Sequence, residues 1–155
     1  YAGIMMTAKG PMVLEYNVRF GDPECQPLMT RLKSDLVAIM QACIAGKLQP
    51  DLVEYHQETS CCIVMAAQGY PGSYPKGMVL SGIDEAEGID GVHVFQAGTK
   101  IENSQISTTG GRVLGVTALG STLAEARQKA YQAVHKIHFD NCYFRTDIAN
   151  KGLRR

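Results

Sequence analysis

The chain has 155 residues, in which 15 Lys and Arg balance 15 Asp and Glu, so it carries no formal net charge. A protein that grips nucleic acid by its phosphates carries a basic excess, which is absent here, and no apolar run approaches the roughly 20 residues of a membrane-spanning helix. Its cysteines, Cys25, Cys43, Cys61, Cys62 and Cys142, have no C-x-x-C spacing, which argues against a zinc site or disulfide framework and for mostly buried thiols in a cytoplasmic domain.

In chain order, Ile4 to Ala8 and Met12 to Val18 predict a hairpin turned by Lys9-Gly10-Pro11. Side chains alternate along a strand, so Glu15, Asn17 and Arg19 share one face while Leu14, Tyr16 and Val18 point the other way into a core. A carboxylate, an amide oxygen and a guanidinium side by side suit a magnesium-bound polyphosphate. Magnesium prefers oxygen, takes few protein ligands, and fills its shell from phosphates and water; Arg19 would clamp a phosphate with its fork of donors. The same pattern also suits a solvated sheet rim with a surface ion pair, and spacing alone leaves both readings open. Gly21-Asp22-Pro23 reads as a turn into a helix, with Asp22 as N-cap, Pro23 at the first helical position and Glu24 in the first turn. That gives Asp22 a structural role.

The helix is expected from Pro23 to about Ala45, with Leu28, Leu32, Leu36, Ile39, Met40 and Cys43 as its core stripe and Gly46 as its end. Gly69-Tyr70-Pro71-Gly72-Ser73-Tyr74-Pro75-Lys76-Gly77 packs three glycines, two prolines and a lysine into nine residues. Such a segment is either a ligand loop, where glycine lets the backbone come close, or an ordinary surface loop. Thr59 to Ala67, Val92 to Thr99, Gln105 to Thr108 and Arg112 to Leu119 predict strands, with tight connections at Asn103-Ser104 and Gly110-Gly111. On its own, Gly110-Gly111-Arg112 is a hairpin turn followed by an exposed arginine. A second helix starts at a capping box, Thr122 with Glu125, buries Leu123, Ala126, Ala130, Val134 and Ile137, and pairs Glu125 with Lys129 on its outer side. A last strand lies near Cys142 to Arg145. His56, His93, His135 and His138 are scattered, with no serine or cysteine at a recognisable spacing, which speaks against a hydrolase triad. The fold class is α+β, a mainly antiparallel sheet with two principal helices.

Four segments, in order, resemble one family. Glu15-Tyr16-Asn17-Val18-Arg19-Phe20-Gly21-Asp22-Pro23-Glu24-Cys25-Gln26 is similar to the hallmark segment of the phosphoribosylamine–glycine ligases (glycinamide ribonucleotide synthetases), ATP-grasp enzymes of purine biosynthesis. Residues 69–77, 94–100 and 109–120 resemble three further segments, and the match runs from about Tyr1 to Ile148. The resemblance implies the C-terminal portion of a longer enzyme: the end of an ATP-grasp domain over 1–46 and the family's C-terminal domain over 47–155. The missing N-terminal half of the same enzyme is then an expected partner, and the fragment alone is expected to be inactive.

The implied reaction joins glycine to 5-phosphoribosylamine through glycyl phosphate at the expense of ATP. Glu15 and Asn17 match the family's ligands for Mg2+ (or Mn2+), Arg19 would be the catalytic cation, and Lys76, Gly110, Gly111 and Arg112 would bind substrate. Tyr1 to Met6 holds no carboxylate, so any further metal ligand is expected upstream. Two rivals stand beside this reading. Another ATP-grasp carboxylate–amine ligase would share Glu15 and Asn17; a non-catalytic β-rich carrier would need a modifiable lysine at a hairpin tip, and Lys9 and Lys100 lack the flanking methionines carriers use.

Overall fold

Short apolar runs separated by Gly, Asn and Ser turns form two local ribbons and a central sheet whose paired strands are distant in sequence, and helices fill the longer gaps. The computed structural model, which describes residues 2–154, has strands β1 (Ala2–Thr7), β2 (Gly10–Tyr16), β3 (Thr59–Ala67), β4 (Val92–Gln96), β5 (Thr99–Glu102), β6 (Gln105–Thr108), β7 (Arg112–Gly120) and β8 (Cys142–Phe144). Its α-helices are α1 (Cys25–Arg31), α2 (Leu36–Ile44), α3 (Ile83–Glu87) and α4 (Leu123–Val134). Strands β1 and β2 form one ribbon, β5 and β6 another, and β4-β7-β3-β8 form a four-stranded sheet. All these ladders are antiparallel, and the fold class is the expected α+β.

The core lies between the central sheet and α4. Cys61, Ile63 and Met65 of β3 stand opposite Ala118, Val116 and Leu114 of β7, and Ala126, Ala130, Ala133 and Val134 of α4 close over the same cluster. The three alanines let the helix approach closely, and each large side chain removed from water there stabilises by ~1.5–3 kcal/mol. Thr122 caps α4 by accepting from the Glu125 N–H at 3.2 Å. The Glu125 carboxylate reaches one residue past the expected partner, to the Ser121 N–H at 2.8 Å, and pairs with Lys129 at 3.2 Å. Ile137 is core as expected, although it follows the helix end at His135.

Three expectations are corrected. The single helix from Pro23 to Ala45 is two helices. Leu32 leaves helical geometry with ψ 118° and bridges Tyr55, and Asp35 restarts the chain by accepting from the Val37 and Ala38 N–H groups at 2.7 and 3.3 Å. A Ser-Asp pair in mid-run offers the backbone a cap in place of the next helical turn. Second, the apolar stripe of this region is not core. No residue of α1 or α2 is buried; Leu28, Leu32, Leu36 and Ile39 are half-buried, while Met40 and Cys43 are exposed. Third, the strand from Val92 to Thr99 is interrupted at Ala97-Gly98, whose N–H groups still donate to the Val113 and Arg112 carbonyls of β7 at 3.0 and 2.9 Å before the chain enters the β5–β6 ribbon. That ribbon turns at Asn103 and Ser104, both at positive φ, as the tight-hairpin reading requires. Helix α3 is too short to leave a periodic signal.

Only Cys61 of the five free cysteines is buried; Cys25, Cys62 and Cys142 are half-buried. Burial pushes the Cys61 and Cys142 thiols up to about 11, which keeps them protonated and unreactive. Among the described residues no helix is long and apolar enough to cross a membrane.

Candidate functional site

Glu15 is the penultimate residue of β2 and stands opposite Gly3. The register slips between Gly3 and Ile4, whose partners are Glu15 and Val13, so Leu14 is an extra residue without an opposite number. Because β2 ends at Tyr16, Asn17 is the first residue past the ladder and Arg19 lies in the following bend. The expected strand face through all three residues therefore does not form. Arg19 donates from Nη1 to the Phe20 carbonyl at 2.9 Å. Leu14, Tyr16 and Val18, expected to point into a core, are exposed, Val18 at 108 %. Ile4, Met5, Met6, Met12 and Val13 are more than half exposed as well. Among the ribbon's described residues only Gly3 is buried, so within this chain alternation has little to bury against.

Glu15 and Asn17 nonetheless place a carboxylate and an amide oxygen two residues apart at the end of one strand. That donor set fits a magnesium ion completing its shell from phosphates and water. Among the described residues no group of three or more His, Cys, Asp or Glu could hold a metal unaided.

A second constellation forms where loop 69–77 folds over the start of β7. The loop is anchored by the Ala67 N–H donating to the Gly111 carbonyl at 2.8 Å and the Gly77 N–H donating to the Thr108 carbonyl at 2.7 Å. The Tyr70 ring lies so close to Gly111 that a Cβ there would overlap it. Tyr74 meets Tyr70 edge-on, with ring centroids 6.0 Å apart. The Lys76 ammonium is 5.7 Å from the centre of the Tyr74 ring, and the Arg112 guanidinium is 5.9 Å from that of Tyr70. Two exposed cations thus flank a tyrosine pair, each contact worth ~0.5–1 kcal/mol. Beneath them three backbone segments stack without side chains. The Gly98 carbonyl accepts from the Thr109 and Gly110 N–H groups at 2.7 and 3.1 Å, and a Cβ on Gly98 would sit 2.7 Å from Gly110 Cα. Lys76 and Arg112 thus stand at the two ends of the tyrosine pair, and Gly111 packs against Tyr70.

The direction of Arg112 comes from a second bulge. Met65 pairs with Leu114 but Ala66 pairs with Arg112, so Val113 is the extra residue. Strict alternation from Leu114 would aim Arg112 at the α4 side; the bulge turns it to the opposite face. There its Nη2 meets Asp22 Oδ2 at 2.8 Å. Asp22 is therefore not the helix cap: Glu24 occupies that position, without a side-chain cap bond. Helix α1 rests on the same face. Ser60 Oγ donates to the Pro27 carbonyl at 3.1 Å, and Gly115 leaves room for Gln26 and Cys62, each 3.5 Å from where its Cβ would be. The interface is polar: Thr117 Oγ1 and Gln26 Oε1 are buried without a hydrogen-bond partner among the described residues. Burial raises the Cys62 thiol's pKa, and the Thr117 hydroxyl pulls it back without reaching bonding geometry.

So the turn after the Glu15 strand is tied to the cationic platform through Asp22 and α1. Asp22, Tyr70, Tyr74 and Gly98 join the candidate residues. The two tyrosines in a Gly- and Pro-rich loop were the available signal; a bulge at Val113 leaves none.

Residues 60–151 match the family profile described as phosphoribosylglycinamide synthetase, C domain. Residues 1–25 match phosphoribosylglycinamide synthetase, ATP-grasp (A) domain. The chain belongs to the phosphoribosylglycinamide synthetase family. Among this family's members, a phosphoribosylamine–glycine ligase of Rhodopirellula baltica is 49 % identical over 99 % of the chain and 35 % of its own length. The one from Escherichia coli is 49 % identical over 100 % and 36 %, and the chloroplastic one from Arabidopsis thaliana 46 % identical over 100 % and 30 %. The chain thus spans about a third of the relatives it matches. The crystal structure of phosphoribosylamine–glycine ligase from Thermotoga maritima superimposes with a TM-score of 0.80 at 35 % identity, over 96 % of this chain and 36 % of that one. The two family profiles fall on either side of the α1–α2 region, and Asp22 and Arg112 lie one in each.

Proposed function

We propose that this chain is the C-terminal part of a cytoplasmic phosphoribosylamine–glycine ligase, and that it supplies the metal end and the substrate platform of the active site. The observation that carries the reading is the paired cation platform of Lys76 and Arg112 around Tyr74 and Tyr70, linked by Asp22 to the segment bearing Glu15 and Asn17. Its partner is the N-terminal half of the same enzyme, with the division between ATP-grasp and C-terminal domains near residue 46. Neither nucleic acid nor membrane takes part.

In the proposed reaction a glycine carboxylate oxygen attacks the γ-phosphorus of ATP and ADP leaves. The amine of 5-phosphoribosylamine then attacks the acyl carbon of glycyl phosphate, phosphate leaves, and the amine proton passes to solvent. Glu15 and Asn17 would hold Mg2+ (or Mn2+), which supplies charge neutralisation on the ATP phosphates. Arg19 commits one of its five N–H donors to Phe20 and meets the charge on the transferring phosphoryl with the others. Lys76 and Arg112 bind the anionic end of the phosphoribosyl substrate, and the bare backbone at Gly110 and Gly111 lets it come close. Such chemistry asks chiefly for positioning and charge stabilisation.

A full-length enzyme containing this sequence, given ATP, labelled glycine and 5-phosphoribosylamine generated in place, is expected to move the label into glycinamide ribonucleotide. ADP formed without labelled product would point instead to another ATP-grasp carboxylate–amine ligase. The 155-residue chain by itself is expected to turn nothing over.

A further inference from the structure

We infer that Asp22 is a positioning residue for Arg112, holding its guanidinium where the phosphate of the phosphoribosyl substrate is received. The inference rests on the reading of Arg112 as a substrate-binding residue. An exposed arginine on a strand end normally samples many rotamers, and a flexible cation is a poor template for a phosphate. Arg112 is restrained from three directions: its backbone is in the β7 ladder, its guanidinium lies by the Tyr70 ring, and its Nη2 meets Asp22 Oδ2 at 2.8 Å.

Stability does not account for this pair. The two side chains are 43 % and 55 % exposed, and ion pairs in that setting contribute little to folding. What the pair fixes is direction. The bulge at Val113 brings Arg112 to the α1 face, and Asp22 is the acid that meets it there. The closest approach is from Nη2 to Asp22 Oδ2, and the guanidinium presents five donors in a planar fork, so the ion pair restrains the fork while donors remain for phosphate oxygens.

Asp22 also lies five residues after Asn17 in the chain, within the stretch that matches the ATP-grasp profile, while Arg112 lies within the C-domain match. The pair therefore spans both parts of the family match and sets the distance between the metal pair and the phosphate receiver. A fixed separation between two reacting fragments is what converts binding into reaction.

The test is steady-state kinetics of the full-length enzyme with each substrate varied in turn. Asp22→Asn is expected to raise KM for 5-phosphoribosylamine about two- to fivefold, the scale of a half-exposed ion pair, and to leave KM for ATP and glycine unchanged. Asp22→Glu is expected to recover most of the loss. In an Arg112→Ala background, itself raised in KM, Asp22→Asn should add nothing, because the carboxylate acts only through the arginine. Should Asn disturb the turn, seen as a lowered melting temperature, Asp22→Ser is read in its place. An Arg112→Ala enzyme with unchanged KM would overturn the reading of Arg112 and this inference with it. Raised KM in Arg112→Ala, but unchanged or lowered KM in Asp22→Asn, or full additivity in the double variant, would overturn the positioning role alone.

Discussion

The ribbon β1–β2 and the pair β3–β7 are built alike. Each is antiparallel, with strands of six to nine residues, and each holds one extra residue beside a candidate functional residue, Leu14 by Glu15 and Val113 by Arg112. What separates them is cover. The β3–β7 pair carries α4 on one face and α1 on the other, so its bulge has a fixed consequence and the partner of Arg112 is identified. Within this chain, which spans about a third of the relatives it matches, the ribbon has no covering layer and its apolar residues are exposed. A strand's alternation decides which residues share a face, but only a neighbouring layer turns a face into a core.

That comparison can be broken most forcefully in the core. In the 155-residue chain Ile63→Ala, at a fully buried site on β3, is expected to cost ~2–5 kcal/mol in denaturant unfolding, whereas Leu14→Ala in the ribbon should stay within ~0.5 kcal/mol. Equal costs would mean that the ribbon is packed after all. Gly111→Ala comes next. Its new Cβ must displace the Tyr70 ring, and overpacking of that kind costs ~1–3 kcal/mol; a melting temperature equal to that of the parent would show that the loop does not rest on the strand. Asp35→Ala removes the acceptor that restarts the chain after the break between α1 and α2 and is expected to cost ~0.5–2 kcal/mol. No loss there would argue for a continuous helix.

The smallest effect concerns pH. Hydrogen bonds from Ser121, with Lys129 alongside, lower the Glu125 carboxyl from 4.5 to about 2. A folded-state value below the unfolded one stabilises while the group is ionised in both states. The contribution is therefore complete above about 4.5 and is lost as the pH falls toward about 2. The melting temperature of Glu125→Gln should lie below that of the parent at neutral pH and converge with it in acid; a gap independent of pH would assign the effect to packing.

Much of the sheet was legible in the residues. β3 and β6 fall where their composition puts them, α4 starts at the Thr122 cap, and Asn103-Ser104 turn the hairpin, because each is marked by residues within a few positions of it. Most of the misplaced features depend on distant partners. Leu28 to Cys43 repeat at helical spacing, yet no layer covers them fully, and the Ser34-Asp35 pair ends the periodic run early. Asp22 fits a capping signature, but Arg112, ninety residues on, takes its carboxylate. The face on which Arg112 stands is set by a slip in pairing with β3, and no local pattern encodes a slip. The candidate site divides along the same line. Its residue types could be named from the chain, whereas the tyrosine pair and the Asp22 link emerge only when loop, strand and turn converge.

The most direct test of the account is ADP release by the full-length enzyme, with 5-phosphoribosylamine generated in place, with and without glycine, for the parent and for Glu15→Gln. Gln keeps the size and shape of Glu15, near the end of β2, so the melting temperature should be unchanged. Glycine-dependent ADP release is expected in the parent and is expected to be lost in the folded variant. ADP release indifferent to glycine, or full activity in Glu15→Gln, would contradict the account.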